Sequence, residues 1–255
     1  MQSLPVSLIL ASLTLLFGAT GGEAEPLRGG RTMPGGPVRA VLELFTSQGC
    51  SSCPPADALL RRFASEPGVL ALSLPVDYWD YIGWKDTFGS PAHSERQRSY
   101  ARAFGSRSVY TPQVVVNGTA EAPAYDRAAI DRAIAATSKE ASRLHIPVSL
   151  EIKDGNLIVD AGPGTHGGDA GEATVWLVTF TPSADVVIER GENRGRTLSY
   201  TNIVRSLSPI GRCNGQAFRL DVEMPASLTE GADSAAVLIQ ENGLGPIAGA
   251  AVLRR

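Results

Sequence analysis

Two cysteines separated by two residues, at a predicted junction of strand and helix, constrain this chain more than any other feature. Residues 39–46 form an apolar run typical of a strand, a turn follows, and Cys50 comes directly after it. Pro54 and Pro55 favour the first turn of a helix, where proline is tolerated. Cys50 should therefore lie where the positive end of the helix dipole favours a thiolate, with Cys53 deeper and able to close a disulfide.

This cysteine pair predicts thiol–disulfide exchange with protein thiols or disulfides as partners and with no cofactor. The thiolate is the attacking species, so we expect a solvent-reachable Cys50 as nucleophile and Cys53 as resolving thiol. Glu43, seven residues before Cys50, is a candidate proton acceptor for Cys53 if strand alternation turns it that way. Asp77 and Asp80 are further candidates. Solvated or capping carboxylates are the alternative for all three acids.

The predicted elements around this motif alternate between strand and helix. A second apolar strand at residues 69–76 is continuous enough to be buried on both faces, as parallel strands are. A helix then begins at Ser90, and a strand ending in the hairpin signal Asn117–Gly118 precedes a last helix. Pro112 follows Thr111 just before that strand, where a cis X–Pro bond can shape the floor of a cysteine site. A trans proline on an edge strand is the alternative.

Aromatic side chains crowd residues 77–89, a segment whose sequence is otherwise typical of turns. The five are Tyr78, Trp79, Tyr81, Trp84 and Phe88. They predict a lid over the cysteines that offers flat contact area to an extended partner chain, with Thr111, Trp79 and Trp84 as partner-binding residues. The alternative is an aromatic core packed under a loop.

The second half of the chain has a different sequence pattern. From residue 145 onward, short apolar runs are separated by Gly, Pro and Asn, with hardly any helical periodicity, which predicts an antiparallel β-sandwich-like domain. Cys213 is left unpaired once the other two cysteines close. A buried, inert thiol is expected there, and intermolecular pairing is the alternative.

The N-terminal residues predict export. Residues 4–17 are almost wholly apolar but too short to span a bilayer comfortably, and small residues follow as far as Ala24. This pattern predicts a signal peptide at residues 1–24 and a flexible linker at 25–37; a buried helix or an uncleaved anchor is the alternative. We expect a periplasmic or secreted protein without a stable membrane anchor, in a compartment where disulfides persist.

Composition and spacing exclude several classes of function. Apolar residues make up 43% and charged residues 19%, which excludes a disordered chain and a membrane bundle. With 23 Lys+Arg against 26 Asp+Glu there is no broad cationic field, so nucleic acid is not an expected partner. Hydrolase spacings are missing from the sequence. Two alternatives to exchange remain: a Cu(I) or zinc chaperone that borrows His93, and a binding module in which the disulfide is only a staple.

The order of these motifs resembles the thioredoxin-like superfamily. More narrowly, residues 43–57, 76–84 and 110–113 resemble the bacterial exported family called domain of unknown function 1223. The resemblance implies a thioredoxin-like fold without an established reaction. The predicted architecture is therefore an α/β thioredoxin-like domain at residues 38–143 followed by an all-β sandwich-like domain at 144–255.

Overall fold

The computed structural model of the chain describes residues 37–139, 145–164, 172–229, 232–241 and 243–254. The predicted signal peptide lies outside these residues, as does the predicted linker up to residue 36. Within the described ranges, every helix is too short or too polar to cross a membrane.

The first half of the chain alternates strands and helices, as predicted. Its elements are β1 (Ala40–Thr46), α1 (Pro54–Ala64), β2 (Val69–Pro75), a 3₁₀ turn (Asp80–Ile82), α2 (Pro91–Ala103), β3 (Gln113–Val116), β4 (Ala120–Pro123) and α3 (Arg127–Lys139). The apolar strands β1 and β2 are buried throughout and pair in parallel. Ser90 caps α2 by accepting a hydrogen bond from the backbone N–H of Ala92.

The second half is built almost entirely of strands. Its elements are β5 (Val148–Lys153), β6 (Asn156–Ala161), β7 (Ala173–Val187), β8 (Thr197–Cys213), β9 (Phe218–Val222), the short helix α4 (Ala226–Thr229), β10 (Ser234–Glu241) and β11 (Ile247–Arg254). Strand β7 continues past Pro182 in register, because Thr181 pairs with Ile203 and Ser183 pairs with Thr201 on either side of it.

The strands form one mixed sheet and one separate antiparallel sheet. The large sheet has eight strands in the order β11-β10-β7-β8-β2-β1-β3-β4, and the small sheet has the order β5-β6-β9. The pairing of Ser73 in β2 with Ile203 in β8 joins strands from the two halves of the chain. The division at residues 143 and 144 therefore remains a prediction about independent folding, because both halves contribute strands to one sheet.

The large sheet is strongly curled. The carbonyl of Asn117, in the turn between β3 and the edge strand β4, accepts a 3.0 Å hydrogen bond from the N–H of Ile247 in β11, the strand at the other edge of the sheet. Gly118 permits this approach, because a Cβ there would collide with the carbonyl oxygen of Gly245. The curl brings helix α2 and the end of β10 together over one face of β1.

Three hydrophobic cores pack against the faces of these strands. Helices α1 and α3 cover the face of β1 that carries Leu42 and Leu44. The small sheet packs on β7, β10 and β11 through Leu150, Leu157 and Val159, so the second half does contain two β layers face to face. The curled inner face encloses a third core on which α2 lies, with Tyr100 fully buried.

Candidate disulfide site

Cys50 and Cys53 form a disulfide in the loop between β1 and α1, with 2.09 Å between the sulfurs. Cys53 immediately precedes the first helical residue, Pro54, and has helical backbone angles. The Ser52 hydroxyl lies 3.4 Å from Cys50 Sγ, where it can donate a hydrogen bond to that sulfur. Sequence reasoning gave this serine no role, although a donor at this place favours a thiolate.

The aromatic segment at residues 77–89 covers the disulfide loop. Trp79 and Ile82 pack so close to Gly49 that a Cβ on that glycine would be 3.2 Å from each. Trp84 Nε1 donates a 2.8 Å hydrogen bond to Oε1 of Gln48. Cys50 is only 1% exposed. The expectation of a solvent-reachable Cys50 is therefore wrong for the disulfide form, and the segment that packs on Gln48 and Gly49 lies directly beside it.

The Thr111–Pro112 peptide bond is cis, the isomer that the sequence analysis considered for a cysteine site. It lies beside the disulfide loop, because Gln113 in β3 pairs with Phe45 at the end of β1. Trp79 links the two regions, since its Nε1 donates a 2.8 Å hydrogen bond to the Thr111 hydroxyl. The predicted residues Thr111, Trp79 and Pro112 are thus brought together next to the cysteines.

A residue from the second half of the chain also holds the loop. Nδ2 of Asn193, in the connection between β7 and β8, donates to the carbonyls of Gln48 at 2.9 Å and Cys50 at 3.0 Å. Arg196 Nη1 donates in turn to Asn193 Oδ1 at 2.8 Å. No local sequence signal marks Asn193, because its partners lie more than 140 residues away.

Glu43 does not lie against the cysteines. Its side chain is on the face of β1 opposite the one that packs on α1, because strand residues alternate between faces and Glu43 is one position out of register. Its carboxylate accepts hydrogen bonds from Arg96 Nε at 2.6 Å and from the Tyr100 hydroxyl at 2.5 Å. The structure does not place Glu43 as proton acceptor for Cys53 and places it in a buried ion pair.

The other two acidic candidates stabilise the aromatic segment. Asp77 Oδ1 accepts a 2.5 Å hydrogen bond from the Ser94 hydroxyl, and Asp80 Oδ1 accepts one from the Asp86 N–H at 3.0 Å. Asp86 Oδ2 accepts a 2.7 Å hydrogen bond from the Gln48 N–H, which ties the segment to the disulfide loop. Asp77 and Asp80 thus take the capping role that was the alternative.

Helix α1 carries an acidic residue close to the cysteines, Asp57. Burial raises the pKa of Asp57 to about 8, and the adjacent Thr46 hydroxyl opposes the shift. Sequence reasoning gave Asp57 no role. A signal was present, however, because Asp57 is four residues after Cys53 and three before the buried Leu60, on an otherwise apolar helix face.

The remaining candidates lie away from this loop. His93 is buried on α2 with its Nδ1 at 2.8 Å from the Pro75 carbonyl oxygen, and burial lowers its pKa. Cys213 is buried and unpaired, and burial raises the pKa of its thiol. Among the described residues, no group of three or more His, Cys, Asp or Glu side chains is placed to hold a metal ion. Of the described residues, the two cysteines are therefore the ligands left for the metal-handling alternative.

Comparison with known families identifies the chain. The family model described as "Protein of unknown function (DUF1223)" matches residues 41–240. The chain belongs to the DUF1223 family. The matched region contains the disulfide, the aromatic segment, the cis proline and Asn193, so the site lies wholly within the part shared with the family.

Two solved structures have similar folds. A crystal structure of a protein from Agrobacterium tumefaciens is 35% identical, covers 86% of this chain and 95% of that chain, and has a TM-score of 0.74. A protein titled "HBP35 of Porphyromonas gingivalis" has a TM-score of 0.59 at 12% identity over 85% of this DUF1223 chain and 74% of its own, a likeness of fold alone.

A sequence match to a curated protein is shorter. A protein of Archaeoglobus fulgidus named "Probable Thioredoxin" is 46% identical over 37 residues, or 14% of this chain. The match spans 41% of that relative's length.

Proposed function

We propose that this DUF1223 protein is an exported thiol–disulfide exchange protein that acts on protein partners through Cys50 and Cys53. The observation that carries the proposal is the disulfide at the start of α1, beside a cis Thr111–Pro112 bond. A short match to a curated thioredoxin and a strand, helix, strand order around the cysteines support a thioredoxin-like arrangement of this half. Export to an oxidising compartment is part of the proposal, because the disulfide would persist there.

Exposed aromatic side chains beside the site support a protein partner. Tyr81, in the 3₁₀ turn of the aromatic segment, is 81% exposed, and Tyr110, just before Thr111, is 44% exposed. They are two of the four large hydrophobic side chains that are exposed among the described residues. Tyrosines supply apolar contact area together with a polar tip, and they are enriched where proteins bind proteins.

Exchange requires the aromatic segment to open, because Cys50 is covered in the disulfide form. Replacing Trp79 with phenylalanine removes the hydrogen bond to Thr111, a loss worth about 1 kcal/mol. We therefore expect Trp79→Phe to be reduced by glutathione about five times faster than the wild type. Thiol release measured by stopped-flow absorbance checks this.

Trp176→Phe is the matched control for this measurement. Trp176 lies on β7, and its Nε1 has no hydrogen-bond partner among the described residues, so its replacement loses no such bond. The rate for this control should equal the wild-type rate. If Trp79→Phe is also unchanged, residues 77–89 are not the barrier to reduction.

Trapping of the partner tests the exchange itself. In the exporting host, Cys53→Ser leaves Cys50 without its resolving thiol, so a mixed disulfide with a partner should accumulate on a non-reducing gel. The adduct should be absent in the double variant Cys50→Ser/Cys53→Ser. Cys213→Ser combined with Cys53→Ser should leave its amount unchanged. Without any adduct that depends on Cys50, the exchange proposal fails.

One observation favours a second candidate, a non-catalytic binding module. Cys50 is 1% exposed and its carbonyl is held by Asn193, as expected for a structural staple. This candidate predicts that Cys50→Ser retains partner binding in a pull-down and that Cys53→Ser traps nothing. The exchange proposal predicts an adduct in the same experiment, so one gel separates the two.

A further inference from the structure

Asp57 and Cys53 lie on the same face of α1. Asp57 is the fourth residue after Cys53, and its N–H donates a 3.1 Å helical hydrogen bond to the Cys53 carbonyl. Residues at this spacing have Cβ atoms about 5–6 Å apart. Both are buried, at 0% exposure for Cys53 and 6% for Asp57, so bulk water does not separate their side chains.

The carboxyl of Asp57 is available for proton exchange. Its Oδ1 is buried, its polar neighbours include the hydroxyls of Thr46 and Tyr200, and none of these three groups makes a hydrogen bond of good geometry among the described residues. Three unsatisfied polar groups in one interior place are unusual, because leaving such groups unpaired costs stability. Clusters of this kind are typical of functional sites.

The titratable groups that face Asp57 come from three elements. Arg61 on α1 lowers its pKa, while Asp86 in the aromatic segment raises it, and burial outweighs both. Burial also raises the pKa of Tyr200 on β8, as do Asp57 and Asp86, so this phenol stays neutral. Burial also raises the pKa of Asp86. The titration of Asp57 falls in the range where thiols exchange.

We propose that Asp57 is the proton donor and acceptor for the Cys53 thiol. The inference rests on the proposed exchange function and names the group that handles its buried proton. Cys53 is as buried as Asp57, and an uncompensated thiolate is costly in such a place. A neighbouring neutral carboxylic acid avoids that cost by giving up its proton as the thiolate forms.

Oxidation of a partner dithiol takes two successive thiol–disulfide exchanges. One partner thiolate attacks Cys50 Sγ, a new S–S bond forms, and the Cys50–Cys53 bond breaks with its electron pair on Cys53 Sγ. Cys53 takes the proton of Asp57 and becomes a thiol. The second partner thiol, after losing its proton to solvent or to the Asp57 carboxylate, displaces Cys50 as thiolate. The partner leaves as a disulfide, and the two cysteines are reduced. In the reverse direction the Asp57 carboxylate accepts the Cys53 proton.

Replacement of Asp57 with asparagine tests this role, because the amide keeps the shape and cannot exchange a proton. The oxidised protein, carrying Cys213→Ser, is reduced by dithiothreitol at concentrations where the rate is proportional to concentration. We expect the ratio of wild-type to Asp57→Asn rates to be at least about tenfold near pH 6.5 and to fall toward one above pH 8, where Asp57 has lost its proton. Because both proteins meet the same dithiothreitol, the effect of its own thiol ionisation on the rate cancels in the ratio.

Two further variants separate this role from a structural one. Thr46→Val removes the hydroxyl that lowers the pKa of Asp57, so the fall in the ratio should move to higher pH. Asp131→Asn, on the exposed side of α3, should reproduce the wild-type profile. A ratio that is flat with pH overturns the role of Asp57 while leaving exchange intact. A wild-type disulfide that exchanges with no thiol overturns the proposed function itself.

Discussion

Replacing Arg96 with methionine is expected to lower the free energy of unfolding by about 3–5 kcal/mol, because the Glu43 carboxylate is then buried without its partner. Arg96 and Glu43 have side-chain exposures of 5% and 0%, and two hydrogen bonds of 2.6 and 3.1 Å join them. Burial alone would lower the pKa of Arg96, but Glu43 and Tyr100 raise it, so the guanidinium stays charged. Chemical denaturation monitored by circular dichroism measures the loss.

The ion pair also links the two halves of the chain. Arg96 Nη2 donates to Gln240 Oε1 at 3.0 Å, and Gln240 Nε2 donates to the Tyr100 hydroxyl at 2.9 Å. Glu43 lies on β1, Arg96 and Tyr100 on α2, and Gln240 on β10. Loss of Arg96 should therefore weaken the contact between α2 and β10 as well as the pairing with β1, and both halves should lose stability together.

Two variants control for this prediction. Arg98→Met removes an exposed cation from the same helix, where the contact to Glu95 is 3.7 Å long, and should change stability by at most about 0.5 kcal/mol. Glu43→Gln combined with Arg96→Met removes both charges and should recover part of the loss. A single Arg96→Met variant as stable as the wild type would contradict the importance of the pair.

Asp57→Asn is expected to raise the free energy of unfolding, by about 5 kcal/mol near pH 8. Burial raises the pKa of Asp57 from an ordinary 3.8 to about 8. The unfolded chain thus releases this proton near pH 4, while the folded chain keeps it until about pH 8. Between these values the wild type loses stability as pH rises, with a slope of up to about 1.4 kcal/mol per pH unit. Asparagine has no proton to lose and removes that slope.

Urea denaturation of both oxidised proteins from about pH 4 to about pH 8.5 checks the sign. The difference between variant and wild type should be near zero at the acidic end and should grow toward the basic end. Asp86 also has a raised pKa and is present in both proteins, so its own titration cancels in the difference apart from its repulsion of the Asp57 carboxylate. A difference that does not change with pH would show that Asp57 is ionised in the fold. Higher stability together with slower exchange is expected of a residue kept for function.

The local elements around the site followed from the sequence because short-range contacts decide them. The apolar run of β1, the prolines that begin α1 and the Ser90 cap of α2 depend on neighbours within a few residues. The same holds for the disulfide, because two cysteines at this spacing at the start of a helix are held close together. The cis bond at Pro112 was one of two isomers that the sequence left open.

The parts that the sequence did not predict depend on contacts between distant residues. Successive residues of β1 point to opposite faces, so a shift of one residue would move Glu43 to the other face of the sheet. Only the packing of α1 and α2 on the two faces decides which face that is. Asn193 meets Cys50 across 143 residues, and no local pattern indicates such a partner.

The sequence by itself determined the cysteine pair at a strand–helix junction and, through its motifs, the family of the chain. Only the tertiary structure decided that Cys50 is buried, that Glu43 faces Arg96 and that Asp57 is buried. The physical reason is that burial and the pKa shifts it causes are produced by surfaces assembled from distant segments, whereas thiol chemistry and helix initiation are properties of neighbouring residues.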